Sequence, residues 1–294
     1  MTENAQCADC PHSFPVSLEE CPHCGAKAFP NVNASRLPRE ISSLGYRYDR
    51  VVADADARGA SDRLQRFEEI VNEADAVMAV DFSVLRKLAE SDSVVAATFY
   101  DRGEIDLSKG SHATAGDEWN AIRPAAETAL FFDKPKRRIH FAALSPDSKG
   151  LTSYGNCSVT FRRELIQDRT SALIKNMLVF FKEKCEDYWR TERIPAGFRA
   201  VWDDRSRLAV TKCGMLVEST SDDDQLRSFL LTRGATSADD DFIELHIYGY
   251  ISVRTMSKVV LTRPLRGVSK NILRAFEFKL DEHKVQWQDR STTP

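Results

Sequence analysis

The sequence predicts an α+β fold preceded by a small cysteine-built module, and three observations carry that expectation. Residues 139–161 read as strand, loop, strand: an apolar run over 139–144, a turn through Pro146 and Gly150, then Tyr154, Asn156, Ser158 and Thr160 alternating with Gly155, Cys157, Val159 and Phe161. After a polar break at 167–171, Leu173, Ile174, Met177, Leu178, Phe181, Cys185, Tyr188 and Trp189 recur at three- and four-residue spacing, which predicts a helix that stops at Pro195. Four of the seven cysteines fall within the first 24 residues, as C-x2-C, ten residues, C-x2-C.

Two thiolates on one tight turn supply half of a tetrahedral zinc site, and CPHCG supplies the other half with a glycine that lets the backbone fold round the ion. Cys7, Cys10, Cys21 and Cys24 are therefore the expected zinc ligands of a structural ribbon over residues 1–28, too small for a core of its own. Disulfides or redox dithiols are the competing readings, but the βαβ pattern that redox dithiols accompany is missing. His12 and His23 lie nearby, yet four cysteines already fill a closed site. The ribbon carries Lys27 as its base against Glu3, Asp9, Glu19 and Glu20, so it fits a structural or protein-contacting role better than a phosphate clamp.

A chain of 294 residues, 42% of them apolar, can bury a substantial core without disulfides. A net charge of -3 excludes a globally basic nucleic-acid binder and leaves room for a local basic face. No apolar run approaches the roughly 18–20 residues needed to cross a bilayer, and MTENAQCADC lacks the basic and apolar regions of a secretion signal. The expected location is cytoplasmic, with no membrane partner, and Cys157, Cys185 and Cys213 read as reduced core residues.

Residues 29–294 form the expected second domain. Residues 29–50, with Pro30, Pro38 and Gly45 among polar residues, read as a linker running into a short helix or strand. Helical faces come next at Leu64, Phe67, Ile70, Val71 and Ala74, and at Phe82, Leu85 and Leu88, with a short apolar run at 77–80 between them. Residues 94–100 read as a buried strand and 106–118 as a mobile loop. A helix over 118–131 should truly start near Pro124. Lys134, Lys136, Arg137 and Arg138 form a basic cluster facing solvent or a phosphate. Strands are expected at 208–211 and 215–218, then a helix over 224–231 whose N-terminus suits Asp222, Asp223 and Asp224. Asp239, Asp240 and Asp241 read as a solvated turn, with a magnesium site the alternative. In 242–250, alternation puts Phe242, Glu244, His246 and Tyr248 on one face and Ile243, Leu245 and Ile247 on the other. The second face belongs in the core, which turns Glu244 and His246 toward a cleft or solvent. His140 alternates with core residues and reads as a satisfied, hydrogen-bonded histidine.

The order RRIHFAALS, GLTSYGNCSVTF and RELIQDRTS resembles the central strands of ADP-ribosyltransferase-like bacterial toxins, in which a YG enters a strand and an R-T step comes after the next turn. DFIELHIYGYIS and then MSKVVL resemble the late strand that carries that superfamily's catalytic glutamate. The resemblance implies mixed, mainly antiparallel sheets, as a pair, with helices packed around an NAD cleft. It implies that Glu244 is the catalytic residue, stabilising the positive charge that grows on the ribose as nicotinamide leaves. It further implies that Tyr154 stacks on nicotinamide, that Ser145 orients it, and that Arg102 contacts the ribose, a role that Arg47 and Arg50 fit as well. Ser145 stands before Pro146 and also fits the start of a turn.

One departure from the family's pattern bears on the acceptor. Phe242 stands where protein-modifying branches carry glutamate or glutamine two residues before the catalytic glutamate, which counts against a protein side chain. Residues 254–274 hold six basic residues and no acidic one, which favours nucleic acid, RNA above DNA. The function implied is an NAD-dependent ADP-ribosyltransferase toxin of bacterial toxin-antitoxin or anti-phage defence, restrained by an antitoxin or chaperone. The alternatives are a non-enzymatic zinc-ribbon adaptor that binds nucleic acid or a protein partner, and a degenerate transferase fold that binds a nucleotide without turnover. Whether Glu244 and Tyr154 line one cleft discriminates between enzyme and adaptor.

Overall fold

A computed structural model describes residues 3–98, 100–101, 118–184, 194–234 and 240–291, the side chains of 118–122 excepted. Strands β1 (Asn4–Gln6) and β2 (Ser13–Pro15) pair antiparallel in the ribbon. Helices α1 (Pro30–Ser35), α2 (Pro38–Ala57) and α3 (Ser61–Glu73) lead into β3 (Asp75–Val80), α4 (Phe82–Ala89) and α5 (Glu118–Phe131). The middle of the chain holds β4 (Ile139–Ser145), β5 (Cys157–Phe161), α6 (Arg163–Ile166), β6 (Thr170–Leu173), α7 (Met177–Lys184), β7 (Arg199–Val201) and α8 (Arg205–Cys213). Then come α9 (Asp223–Leu230), β8 (Leu231–Thr232), β9 (Asp241–Phe242), β10 (Glu244–Tyr248), β11 (Met256–Leu261), α10 (Lys270–Glu282) and β12 (Gln286–Asp289).

The fold is α+β. Eight strands form one mixed, mostly antiparallel sheet in the order β12-β11-β5-β3-β4-β10-β6-β7, and the parallel pair is β11 with β12. A pair of sheets was the expectation, and β3 is the reason for one: Val77 pairs with Thr160 of β5 on one side and Ala143 of β4 on the other, fusing the two halves. Every residue of β5, β6 and β10 is buried, so both faces of the sheet are covered along these strands. Helices α2, α3 and α8 pack together, α5 packs on α7, and α4 on α10.

Several segments depart from the sequence expectation. Residues 29–50 hold no linker: Pro30 and Pro38 each sit at the first turn of a helix, where the ring's fixed φ is pre-organised and its missing N–H costs nothing. Residues 173–176 do not open the central helix. Thr170–Leu173 is a strand, buried throughout and paired with both β10 and β7, and the helix begins at Met177. Cys185, Tyr188 and Trp189 lie outside the described residues. The strand expected at 208–211 is the core of α8, because a three-residue apolar run fits a buried helix as well as a strand, and packing against α2 and α3 decides. Residues 214–216 form a 3-10 turn in place of the strand expected at 215–218. Residues 94–98 form no strand, and the Ala96 N–H bonds the Ile251 carbonyl at 2.8 Å. Pro124 lies inside α5, which already begins at Glu118. The side chains of Trp119 and Ile122, the loop over 106–117 and Asp239 fall outside the described residues.

Candidate functional site

The ribbon brings its cysteines together. The sulfurs of Cys7, Cys10, Cys21 and Cys24 all lie within 4.8 Å of one another, with Cys7 to Cys24 at 3.6 Å and Cys10 to Cys21 at 3.8 Å. A tetrahedron of about 2.3 Å zinc–sulfur bonds has edges of about 3.8 Å, whereas a disulfide needs about 2.0 Å. The four cysteines thus sit close enough to bind a metal ion, and the spacing is compatible with zinc. Each knuckle is folded by its own backbone: Cys7 N–H bonds the His12 carbonyl, and Gly25, at φ +74°, returns its N–H to Cys21. Burial opposes ionisation of Cys21, but the N–H groups of His23 and Cys24 and the neighbouring thiols bring it down to about 7. Cys24 is pushed up to about 12 by burial and the other three sulfurs, against the Ala26 N–H. A bound cation is what would let all four ionise together. His12 and His23 stack on each other at 4.1 Å.

The ribbon is tied to the sheet. Arg39 pairs with Glu3 at 3.0 Å, Arg138 pairs with Glu19, and Ala5 and Val16 pack with Ala34 and Phe132. All six residues of α1 are buried, and Asn31 Nδ2 donates to the carbonyl of His246 at 2.9 Å and to Ser171 Oγ at 3.1 Å.

A cavity of about 270 Å³ opens over β3, β4 and β10, and both Glu244 and Tyr154 line it, with His140, Thr98, Arg123 and Asn176 as further polar walls. Glu244 comes from a strand buried on both faces, so it does not look toward solvent: it is 5% exposed. Its carboxylate is held by three donors. Oε1 accepts from Met177 N–H at 3.1 Å and lies 2.9 Å from His246 Nε2, and Oε2 accepts from Asn176 Nδ2 at 3.2 Å. Asn176 caps α7, its Oδ1 accepting from the N–H groups of Leu178 and Val179, so the carboxylate rests at the positive end of a helix. Among the described residues, Oε2 keeps one lone pair uncommitted. His246 is wedged edge-on between Phe131 at 4.6 Å and Phe141 at 5.5 Å.

A second carboxylate lies behind the first. Burial pushes the Glu127 carboxyl up and the charge of Glu244 adds to this, while the Tyr100 hydroxyl, Arg123 and Lys136 oppose it. Arg123 stands 3.4 Å from Glu127 Oε1 and reaches the cavity wall.

Tyr154 sits in a 3-10 turn over Thr152–Tyr154 ahead of β5, not within the strand, and is 48% exposed at the cavity mouth. Gly155 accounts for this, because a Cβ there would stand 2.6 Å from the backbone of Val80, and only glycine lets the turn press onto β3. Ser145 does not join the site: it is 1% exposed, and its hydroxyl bonds Asp147 Oδ1 at 3.0 Å, which makes it the start of a turn. Arg102 lies outside the described residues. Arg47 is committed to the Gly197 carbonyl and the Phe198 ring, and Arg50 lies over Tyr46. Residues that the sequence reading missed are Asn176, Arg123 and Glu127; an Asn directly before an apolar helical run is a cap signal that would have found the first. No protein-family model matches this chain, and no curated protein matches its sequence.

Proposed function

We propose that the chain is an NAD-dependent ADP-ribosyltransferase with Glu244 as its catalytic carboxylate, acting on a nucleic-acid acceptor in bacterial toxin-antitoxin or anti-phage defence and restrained by an antitoxin. The observation that carries this reading is that Glu244 and Tyr154 line one cavity. At about 270 Å³ the cavity is near the small end of the ~300–1,000 Å³ range of ligand pockets, which suits the nicotinamide-ribose end of the dinucleotide and leaves the remainder across the opening. Tyr154 offers an aromatic face to a flat, positively charged ring. The free lone pair of Glu244 Oε2 accepts a ribose hydroxyl, and its charge favours the oxocarbenium-like state as the bond from ribose to nicotinamide breaks. Nicotinamide leaves neutral, an acceptor nucleophile bonds the ribose carbon, and the nucleophile's proton passes to solvent. Asn176, Met177 N–H and His246 hold the carboxylate so that little reorganisation accompanies the step. In the ribbon, we assign zinc a structural part, held by Cys7, Cys10, Cys21 and Cys24.

The test is incubation with labelled NAD and, separately, RNA, DNA and protein, comparing wild type with Glu244→Ala. Label should appear in a nucleic-acid fraction with wild type and fall by about 10²–10³-fold in the variant, the size of effect seen when one transition-state-stabilising group is lost. No label, no released nicotinamide and no rise in melting temperature with NAD would leave the adaptor reading in its place.

A further inference from the structure

Helices α4 and α10 pack on each other through Phe82 and Phe276, whose rings meet edge-on at 5.0 Å, and together they present an outward layer beside β11. Arg86 and Lys87 are exposed on α4, Arg263 and Arg266 on the turn after β11, and Lys270 and Arg274 on the first half of α10. In this region Arg254 and Lys279 find carboxylates, on Asp92 and Glu282. Arg86, Lys87, Arg266, Lys270 and Arg274 find none among the described residues. That is a local excess of unneutralised charge on a chain whose net charge is -3.

The placement runs against the helix's own preference. Carboxylates are favoured at a helix N-terminus and cations at its C-terminus. In α10, Lys270 opens the helix and its first turn holds no acid, while at the closing end Lys279 stands with Asp281 and Glu282 and pairs with Glu282 at 2.8 Å. Cations kept at a helix N-terminus with no ion pair of their own point to something outside the chain that they meet. The layer also exposes apolar surface among the charges: Phe278, one turn beyond Arg274, is 63% exposed, and Ile272 is 38% exposed. At its other end the layer reaches the cavity mouth, where Arg263 Nη2 donates to the carbonyl of Gly155 at 2.8 Å, next to the half-exposed Tyr154.

We propose that the α4–α10 layer is a docking surface for single-stranded RNA, whose phosphates run along Arg266, Lys270 and Arg274, whose bases stack on Phe278, and whose path ends at Tyr154. Unpaired cations interleaved with exposed aromatic rings are what a strand of phosphates and unstacked bases requires. The proposal deepens the transferase reading by naming its acceptor, and it rests on that reading only for what happens at the cavity.

Binding is measured without NAD, as fluorescence anisotropy of a labelled 20-nucleotide RNA of mixed sequence. Wild type is compared with Lys270→Glu/Arg274→Glu, with the charge-neutral Lys270→Gln/Arg274→Gln, with Phe278→Ala, and with Arg227→Glu on α9 as control. Both double variants should bind about tenfold or more weakly at moderate salt, and the glutamine pair should lower the slope of log affinity against log salt by about 1.4, which is about 0.7 per lost phosphate contact. Phe278→Ala should cost about fivefold or more, and the control should bind as wild type. RNA affinity unchanged in both double variants would overturn the proposal, as would equal affinity for polyglutamate, which would mark a general acidic-protein surface. Tighter binding of duplex DNA than of RNA would also overturn it. Because no turnover is involved, an inactive cavity leaves this result readable, and a failed RNA surface leaves the labelling experiment readable.

Discussion

Three protein donors converge on Glu244, while Glu127 behind it has one distant guanidinium at 3.4 Å and a tyrosine hydroxyl in an almost fully buried site. The two carboxylates are set differently, and burial first, with the charge of Glu244 adding to it, pushes the Glu127 carboxyl above its ordinary value. Its folded-state value is raised above the unfolded one by burial first, so the folded chain binds the proton more tightly than the unfolded chain does. Stability is then lost as pH rises through the interval between the two values. Glu127→Gln, which keeps the neutral shape, should melt like wild type near pH 4 and higher than wild type at pH 8; equal melting temperatures at pH 8 would mean that Glu127 is ionised at no cost. At the ribbon, Cys21→Ser removes the thiol that ionises most readily of those with resolved shifts. The variant should purify without zinc by metal analysis, and an unchanged zinc content would refute the four-sulfur site.

At the scale of elements, α7 orients Glu244 through its capped end, and the cap is Asn176. Asn176→Ala removes a cap and a donor to a buried carboxylate together, a loss of about 2 kcal/mol, from roughly 1 for the cap and 1 or more for the orphaned acceptor. Asn176→Asp keeps the capping oxygen and sets a like charge against Glu244, so it should retain more stability than the alanine variant while abolishing NAD-stimulated labelling. Chemical denaturation of both separates the two roles. The same element shows why sequence reading went only part of the way. The pattern after Met177 is helical and was legible, but Thr170–Leu173 is short, small and buried on both faces, so it carries no alternation to mark it as a strand. Pro30 and Pro38 were legible as punctuation, but a proline ends one element or begins the next according to the residues on its C-terminal side. Tyr154 and Glu244 were found from motif order, whereas Arg123 and Glu127 reach the site from a helix whose sequence reads only as a buried face. Their placement is set by how α5 packs on α7, which no local pattern records.

For the molecule as a whole, the ribbon and the sheet share structure that a boundary at residue 28 does not convey. The chain leaves the ribbon directly into α1, every residue of which is buried, and Asn31 joins α1 to the carbonyl of His246 and to Ser171 on the neighbouring strand. Phe29 lies 6.0 Å from Tyr248, and Arg138, paired with Glu19 of the ribbon, lies against Tyr248 and Tyr250. A ribbon that is unfolded without metal would release these contacts and leave the β10 end that positions His246 less constrained. Removing metal with a competing chelator under reducing conditions should therefore lower the main thermal transition, and not merely erase a separate small one. Each ~1 kcal/mol lost moves the midpoint by about 2–4 °C in chains somewhat shorter than this one, so the loss of two or more such contacts should shift it by about 5 °C or more. Hydrogen exchange distinguishes the outcomes. If amides of β6 and β10 lose protection along with those of the ribbon, the metal supports the candidate active site across α1; if protection falls over residues 3–28 alone and the midpoint holds, the ribbon is an independent module and α1 carries the sheet's contacts by itself.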